Sequence, residues 1–304
     1  MIMKKPFVMT KNAIIPALIQ PYTPEGELDE AASRELVRHL LNQGVEGFYA
    51  CGSSGEAFLL SIEERKRMAE IVVEEVNGSV PVIVHIGALN TRDSVLLAQH
   101  ADSIGASAVS AVPPVYYKHG LPQLKQHFTE IASCSSLPLI VYHIPDLTGI
   151  SPPPSFYYEL SQVEGIIGLK YTAHNLFEMQ QVISLCDDDF IVFNGYDEVI
   201  ISGFAMGAKA GIGSTYNYMP GKYIELRNHF LAGDYAAALR VQYEINEVIV
   251  VMAKYNFIAF VREMLRLQGV NTGVSRKPLQ HLSLLQQEEI AQALSSISFL
   301  NIQQ

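Results

Sequence analysis

The chain has 304 residues, 49% of them hydrophobic, enough for one large single-core domain or two modest ones. A formal net charge of −10, with no Lys/Arg run interleaved with aromatics, argues against a nucleic-acid partner. No apolar stretch approaches the roughly 20 residues of a membrane span, so no membrane partner is expected.

Cys51, Cys134 and Cys186 are odd in number and widely spaced. They suit neither a disulfide framework nor a zinc pattern and read as reduced thiols of a cytoplasmic protein. The segment Met1 to Lys11 lacks the long apolar core and small-residue cleavage site of a signal peptide.

Along the chain, apolar strand candidates alternate with helical patterns. Ala13 to Ile19 is the first strand, followed by a charged amphipathic helix from Asp29 to Asn42. Gly47 to Ala50 is the second, followed by a helix from Ser61 to Asn77 whose start, Ser61-Ile62-Glu63-Glu64, reads as a capping box. Val82 to Ile86, Ala108 to Val112 and Leu139 to His143 are the next three strands. Their helices run from Thr91 to Ile104, Leu121 to Ser133, and Pro154 to Ser161, the last with proline in its first turn. Ile166 to Lys170 leads to Leu176–Leu185, Phe190 to Phe193 leads to Glu198–Met206, and Ala210 to Gly213 is the eighth strand. Beyond it Leu231–Lys254, Ile258–Gln268 and Ser283–Ser295 read as helices with no further strand.

Eight strand–helix units in about 220 residues predict the α/β class, a (β/α)8 TIM barrel with a C-terminal helical appendage. The catalytic barrel is expected over residues 1–225 and the appendage, packed on it, over 226–304. The strands are continuous apolar runs, as in a sheet buried on both faces. No GxGxxG follows the first strand, which weakens an open dinucleotide-binding sheet.

In such a barrel the site lies at the C-terminal ends of the strands. There the sequence offers Gly52-Ser53-Ser54-Gly55-Glu56, His85, Tyr116-Tyr117, Tyr142-His143, Lys170, Asn194-Gly195-Tyr196-Asp197-Glu198 and Ser214-Thr215-Tyr216-Asn217. Lys170 closes the apolar run Gly165 to Leu169. An amine there is costly to keep charged, and a neutral lysine can attack a carbonyl to form a Schiff base. The ordinary alternative is a solvated strand cap. Tyr142 on the neighbouring strand offers a phenol for proton transfer, or a core tyrosine with a satisfied hydroxyl. The Gly52–Glu56 loop reads either as a tight turn or as a carboxylate cradle of backbone N–H groups and two hydroxyls, its glycines permitting unusual backbone angles. Asp197-Glu198 reads as a ligand pair or as an acidic helix start. Cys51 beside the loop reads as a small core residue or a nucleophile. His85 and His143 suggest a rival, a metal-dependent hydrolase, but no HxH pair or well-placed carboxylate supports a metal site.

Jointly, the GSSGE loop, Tyr142 two residues before Ile144-Pro145, and Gly168-Leu169-Lys170 resemble the dihydrodipicolinate synthase/N-acetylneuraminate lyase family of class I aldolases. The resemblance runs from Pro16-Ala17-Leu18 to Arg276-Lys277-Pro278. Its lyase branch fits best, through Phe193–Glu198, Gly211–Asn217, and Leu147 where the synthases typically carry an arginine for a second carboxylate. The resemblance implies reversible cleavage of N-acetylneuraminate with no cofactor and no metal. Lys170 would be the imine-forming residue, Tyr142 the proton carrier, and Tyr116 a residue reaching into a neighbouring subunit of a homotetramer. Ser53 and Ser54 would hold the carboxylate; Thr172, Gly195, Asp197, Glu198 and Ser214 would hold the hydroxylated tail. Gln20, Ser54, His143 and Ala173-His174-Asn175 depart from the family pattern, which bears on substrate preference. A sibling aldolase for 2-keto-3-deoxy sugar acids, dihydrodipicolinate synthase and a silent pyruvate-binding protein are the other readings.

Overall fold

In the computed structural model, which describes residues 3–300, eight parallel strands form one barrel. They are β1 (Ala13–Pro16), β2 (Phe48–Ala50), β3 (Val82–His85), β4 (Ala108–Ala111), β5 (Leu139–His143), β6 (Ile166–Tyr171), β7 (Ile191–Asn194) and β8 (Ala210–Gly213). Neighbours in sequence are neighbours in the sheet, and β1 pairs with β8. Closure between β1 and β2 runs through the Leu18 N–H, which donates to the Tyr49 carbonyl at 2.9 Å. The ladder of β1 stops at Pro16 rather than Ile19. The next N–H groups diverge in partner, Ala17 to the Gly213 carbonyl and Ile19 to the Asn217 side chain.

Two apolar shells follow from the pleat. Ile15, Tyr49, Ile83, Ile140, Tyr142, Phe193 and Ile212 fill the barrel interior. Leu36, Val72, Leu97, Phe128, Leu169 and Val192 belong to the second shell, between strands and helices, which continues into the C-terminal helices through Ile245, Phe260 and Leu294. Local signals set the helix ends. The Ser61 capping box forms in both directions, with the Ser61 side chain accepting from Glu64 N–H and the Glu64 side chain accepting from Ser61 N–H.

The helix expected from Leu231 to Lys254 forms as Tyr235–Met252, and ahead of it stands a further helix, Pro220–Leu231, which was not expected. Pro220 starts that helix in its first turn. Gly233, at φ +79°, turns the chain, and the Asp234 side chain caps the next by accepting from Ala237 N–H. The segment expected as a helix from Glu198 begins instead as a 3-10 turn, Asp197–Val199, before Ile200–Ala205.

The C-terminal helices grip the barrel mouth. Gln242 donates to the Asp197 carbonyl at 3.2 Å and Asn246 to the Glu198 carbonyl at 3.1 Å. Arg262, buried on helix Phe257–Leu267, donates to Glu56, to the Gln20 carbonyl and to the Thr272 carbonyl at 2.6–2.7 Å.

Candidate active site

Parity along β5 and β6 decides what faces the interior. Tyr142 and Lys170 are register partners and both point inward; His143 and Tyr171 are the next pair and point outward. Lys170 is only 4% exposed. Its Nζ lies 4.0 Å from the centroid of the Tyr142 ring and 4.5 Å from that of Tyr49. The electron-rich faces of the two rings favour a cation at that point, whether ammonium or protonated imine. The Tyr49 hydroxyl donates to Ser110 Oγ at 3.0 Å, and its ring meets Tyr142 edge-on at 6.0 Å.

Across the barrel, four strands away from β6 in either direction, β2 runs into the Gly52–Glu56 loop. Ser54 is buried and its Oγ is 2.7 Å from Ser214 Oγ, which joins the loops after β2 and β8; Ser53 is half-buried beside it. The backbone strain in this loop falls on its flanks and not on its glycines, because Cys51 and Glu56 take φ of +57° and +58°. Glu56 is the loop's anchor: its carboxylate accepts from Arg262 Nη2 at 2.7 Å and from the Arg276 N–H at 2.8 Å, out of solvent.

Thr172, Gly195 and Asp197 close the side between β6 and β8. Thr172 and Asp197 are buried, and Thr172 Oγ1 and Asp197 Oδ1 have no hydrogen-bond partner among the described residues. The other Asp197 oxygen accepts from Thr215 N–H at 2.8 Å and Thr215 Oγ1 at 2.7 Å. A methyl on Gly195 would stand 1.8 Å from Thr172 Oγ1, and one on Gly213 at 1.8 Å from Asp197 Oδ1, so both glycines are needed for these oxygens to sit where they do. Burial raises the Asp197 carboxyl to about 7, against the Thr215 donors and the Lys170 charge, which lower it. Two buried oxygens lacking donors, on neighbouring loops, are what a hydroxyl-bearing ligand would satisfy.

At the rim, Glu198 Oε1 lies 3.8 Å from His174 Nε2, and the His174 ring stacks on Tyr196 at 4.3 Å and 13°. The Tyr196 hydroxyl donates to Asp146 at 2.5 Å. Leu147 beside Asp146 is exposed.

Other expected residues lie elsewhere. Tyr116 is 88% exposed at φ +83°, its ring stacked edge-on against Tyr117 at 5.0 Å and turned to the surface. His143 packs outside the barrel, its ring stacked on Tyr171 at 4.7 Å and its Nδ1 2.7 Å from the Tyr157 hydroxyl; burial lowers it to about 4. His85 faces inward. Its Nδ1–H donates to the Cys51 carbonyl at 3.0 Å, its Nε2 accepts from Val112 N–H at 3.4 Å, and burial, then Arg65, holds it neutral, well below the usual range. The two histidines stand on opposite faces of the sheet, so they share no ligand position. Cys51 donates to the Arg65 carbonyl, and burial pushes its thiol to about 11, which is a core role and not a nucleophile's. Gln20 donates to the Pro21 carbonyl and Ser33 Oγ, next to Arg262. Among the described residues no helix is long and apolar enough to cross a membrane.

The model of the dihydrodipicolinate synthetase family matches residues 10–297. The chain belongs to that family. N-acetylneuraminate lyase of Rhizobium meliloti (strain 1021) is 36% identical over 272 residues, covering 90% of each chain. A catalytic lysine mutant of the Ruminococcus gnavus sialic acid aldolase superposes with a TM-score of 0.90 at 31% identity, covering 94% of this chain and 96% of that one. A dihydrodipicolinate synthase of Bacillus anthracis superposes with a TM-score of 0.91 at 27% identity, covering 95% and 99%. Backbone shape is thus common to relatives named as lyase and as synthase.

Tyr49 and Asp146 belong to the mouth although the sequence did not single them out, and Tyr196 and His174 stood in segments the sequence offered without a role of their own. Only the departure at Ala173-His174-Asn175 hinted at His174; Tyr49 sits in an apolar strand and carries no such signal.

Proposed function

We propose that the protein is a Schiff-base aldolase that cleaves N-acetylneuraminate reversibly to N-acetylmannosamine and pyruvate. The observation that carries this reading is the Lys170 amine, buried in the barrel mouth against the Tyr142 and Tyr49 rings. Neutral Lys170 attacks the C2 ketone of the open-chain sugar acid, water leaves, and a protonated imine forms. The imine withdraws the electron pair released when the C3–C4 bond breaks, leaving an enamine. Tyr142 takes the C4 hydroxyl proton during cleavage and returns a proton to C3 of the enamine. Hydrolysis frees pyruvate and Lys170. This chemistry needs no cofactor.

Ser53, Ser54 and nearby backbone N–H groups hold the carboxylate. Thr172, Gly195, Asp197, Glu198 and Ser214 line the path of the tail, where the unpartnered oxygens of Thr172 and Asp197 support a ligand rich in hydroxyls. The naming of relatives at 36–38% identity as N-acetylneuraminate lyases supports the same substrate. Leu147 supports the lyase over the synthase, since no guanidinium stands there for a second carboxylate. Residues 1–225 form the catalytic barrel in this reading and 226–304 its supporting helices. A cytoplasmic homotetramer completes it, with Tyr116 of one copy completing a partner's site; the exposure of Tyr116 supports that role.

Borohydride reduction in the presence of pyruvate, followed by peptide mass mapping, tests the chemistry. The expected result is a pyruvate-derived adduct on the Lys170 peptide, absent from Lys170→Ala, with pyruvate released from N-acetylneuraminate by the wild type alone. An unmodified Lys170 peptide ends the Schiff-base reading; an adduct without turnover of the sugar acid ends the substrate assignment.

A further inference from the structure

We infer that His174 is a specificity-determining residue of this site, reading a vicinal diol at the distal end of the substrate together with Glu198. The inference rests on the proposed cleavage of a nine-carbon sugar acid. His174 follows Lys170 by four residues, on the loop after β6. Its ring is held flat on Tyr196 at 4.3 Å, and Tyr196 is held in turn by the hydrogen bond to Asp146. Loops after β5, β6 and β7 therefore build one wall of the mouth from Asp146, Tyr196, His174 and Glu198.

Within this wall His174 Nε2 and Glu198 Oε1 are 3.8 Å apart, too far for a direct hydrogen bond. An imidazole N–H and a carboxylate oxygen thus stand side by side, each open to a third group, and both side chains keep solvent access. Two adjacent hydroxyls fit that pair: one donates to Glu198 while its neighbour accepts from His174. A single hydroxyl serves only half of it, and a methylene serves neither group. The stack on Tyr196 fixes the ring before ligand arrives, which lowers the ordering cost of the contact.

The test uses the full chain, wild type and variants, with N-acetylneuraminate and its seven-carbon analogue, in which periodate cleavage and reduction have removed the terminal diol. His174→Phe keeps a ring to stack on Tyr196 and removes the N–H; His174→Gln restores a donor. In the wild type kcat/KM should favour the nine-carbon substrate. In His174→Phe that preference should shrink roughly three- to tenfold, the size of one lost neutral hydrogen bond, through KM rather than kcat, with partial recovery in His174→Gln. Equal losses on both substrates, or wild-type discrimination in His174→Phe, overturn the role of His174 while leaving the proposed reaction standing. If the wild type releases pyruvate from neither substrate, yet borohydride still fixes pyruvate on Lys170, the substrate assignment falls and this inference falls with it.

Discussion

An amine flanked by two phenol rings, one from the adjacent strand and one from the far side of the barrel, has its position fixed by packing before any substrate arrives. That makes the Tyr142 hydroxyl separable from the Tyr142 ring. Tyr142→Phe keeps the face that packs on Lys170 and removes the hydroxyl proposed to carry the proton, so kcat for cleavage should fall by roughly 10²–10⁴ while Tm stays near that of the wild type. Steady-state kinetics beside a thermal melt checks this, and an unchanged kcat removes Tyr142 from the proton path. Asp197 gives a pH signature. Burial raises its folded-state value to about 7, whereas an unfolded aspartate titrates near pH 3.9. Between those values the folded protein keeps a proton that the unfolded chain has lost. Stability from this group is therefore full below about pH 4 and is lost as pH rises through 7, by an amount on the order of 4 kcal/mol. Asp197→Asn cannot titrate, so wild type and variant should diverge in denaturant unfolding between pH 4 and 8, the wild type losing ground as pH rises. Parallel curves would exclude a raised Asp197.

Strands, helices and the lysine-bearing strand end were legible because each rests on local chemistry. The apolar runs, the Ser61 capping box and the proline starts all specify backbone over a few residues. Facing was not legible. In a barrel buried on both sides the run Leu139 to His143 is apolar on each face, so nothing local says that Tyr142 points in and His143 out. The same cause hid Tyr49, and it made His143 look like a partner for His85. The role of Glu56 was hidden by distance, since its partner Arg262 lies 206 residues away. That loop-to-helix tie has a measurable weight. Glu56→Gln leaves the Arg262 guanidinium buried without its carboxylate, a change that typically costs about 3–5 kcal/mol, and urea unfolding reads it directly. Replacing both partners, Glu56→Gln with Arg262→Met, should return part of the loss, because the stranded charge is gone. No recovery would mean that the other Arg262 hydrogen bonds, to Gln20 and Thr272, dominate.

At the scale of the whole molecule, the eight strand ends gather residues from across the sequence onto one face, and Tyr116 stands on that side without reaching Lys170. If Tyr116 completes a partner's site, Lys170→Ala and Tyr116→Ala proteins should each be weak alone. Assembled together from a denatured mixture they should regain a fraction of wild-type activity, since some sites then combine an intact Lys170 with an intact Tyr116. No recovery in verified mixed oligomers would confine the site to one chain. The Glu56 anchor also orders events in time. β8 ends at Gly213, so a ribosome has released all eight strands before it makes Arg262 or Arg276. Until then the Gly52–Glu56 loop, proposed to hold the carboxylate, lacks the two donors that its glutamate meets in the finished fold. Catalytic competence is therefore expected only once Arg262 and Arg276 are made, and a product cut short after the barrel should show no aldolase activity when assayed.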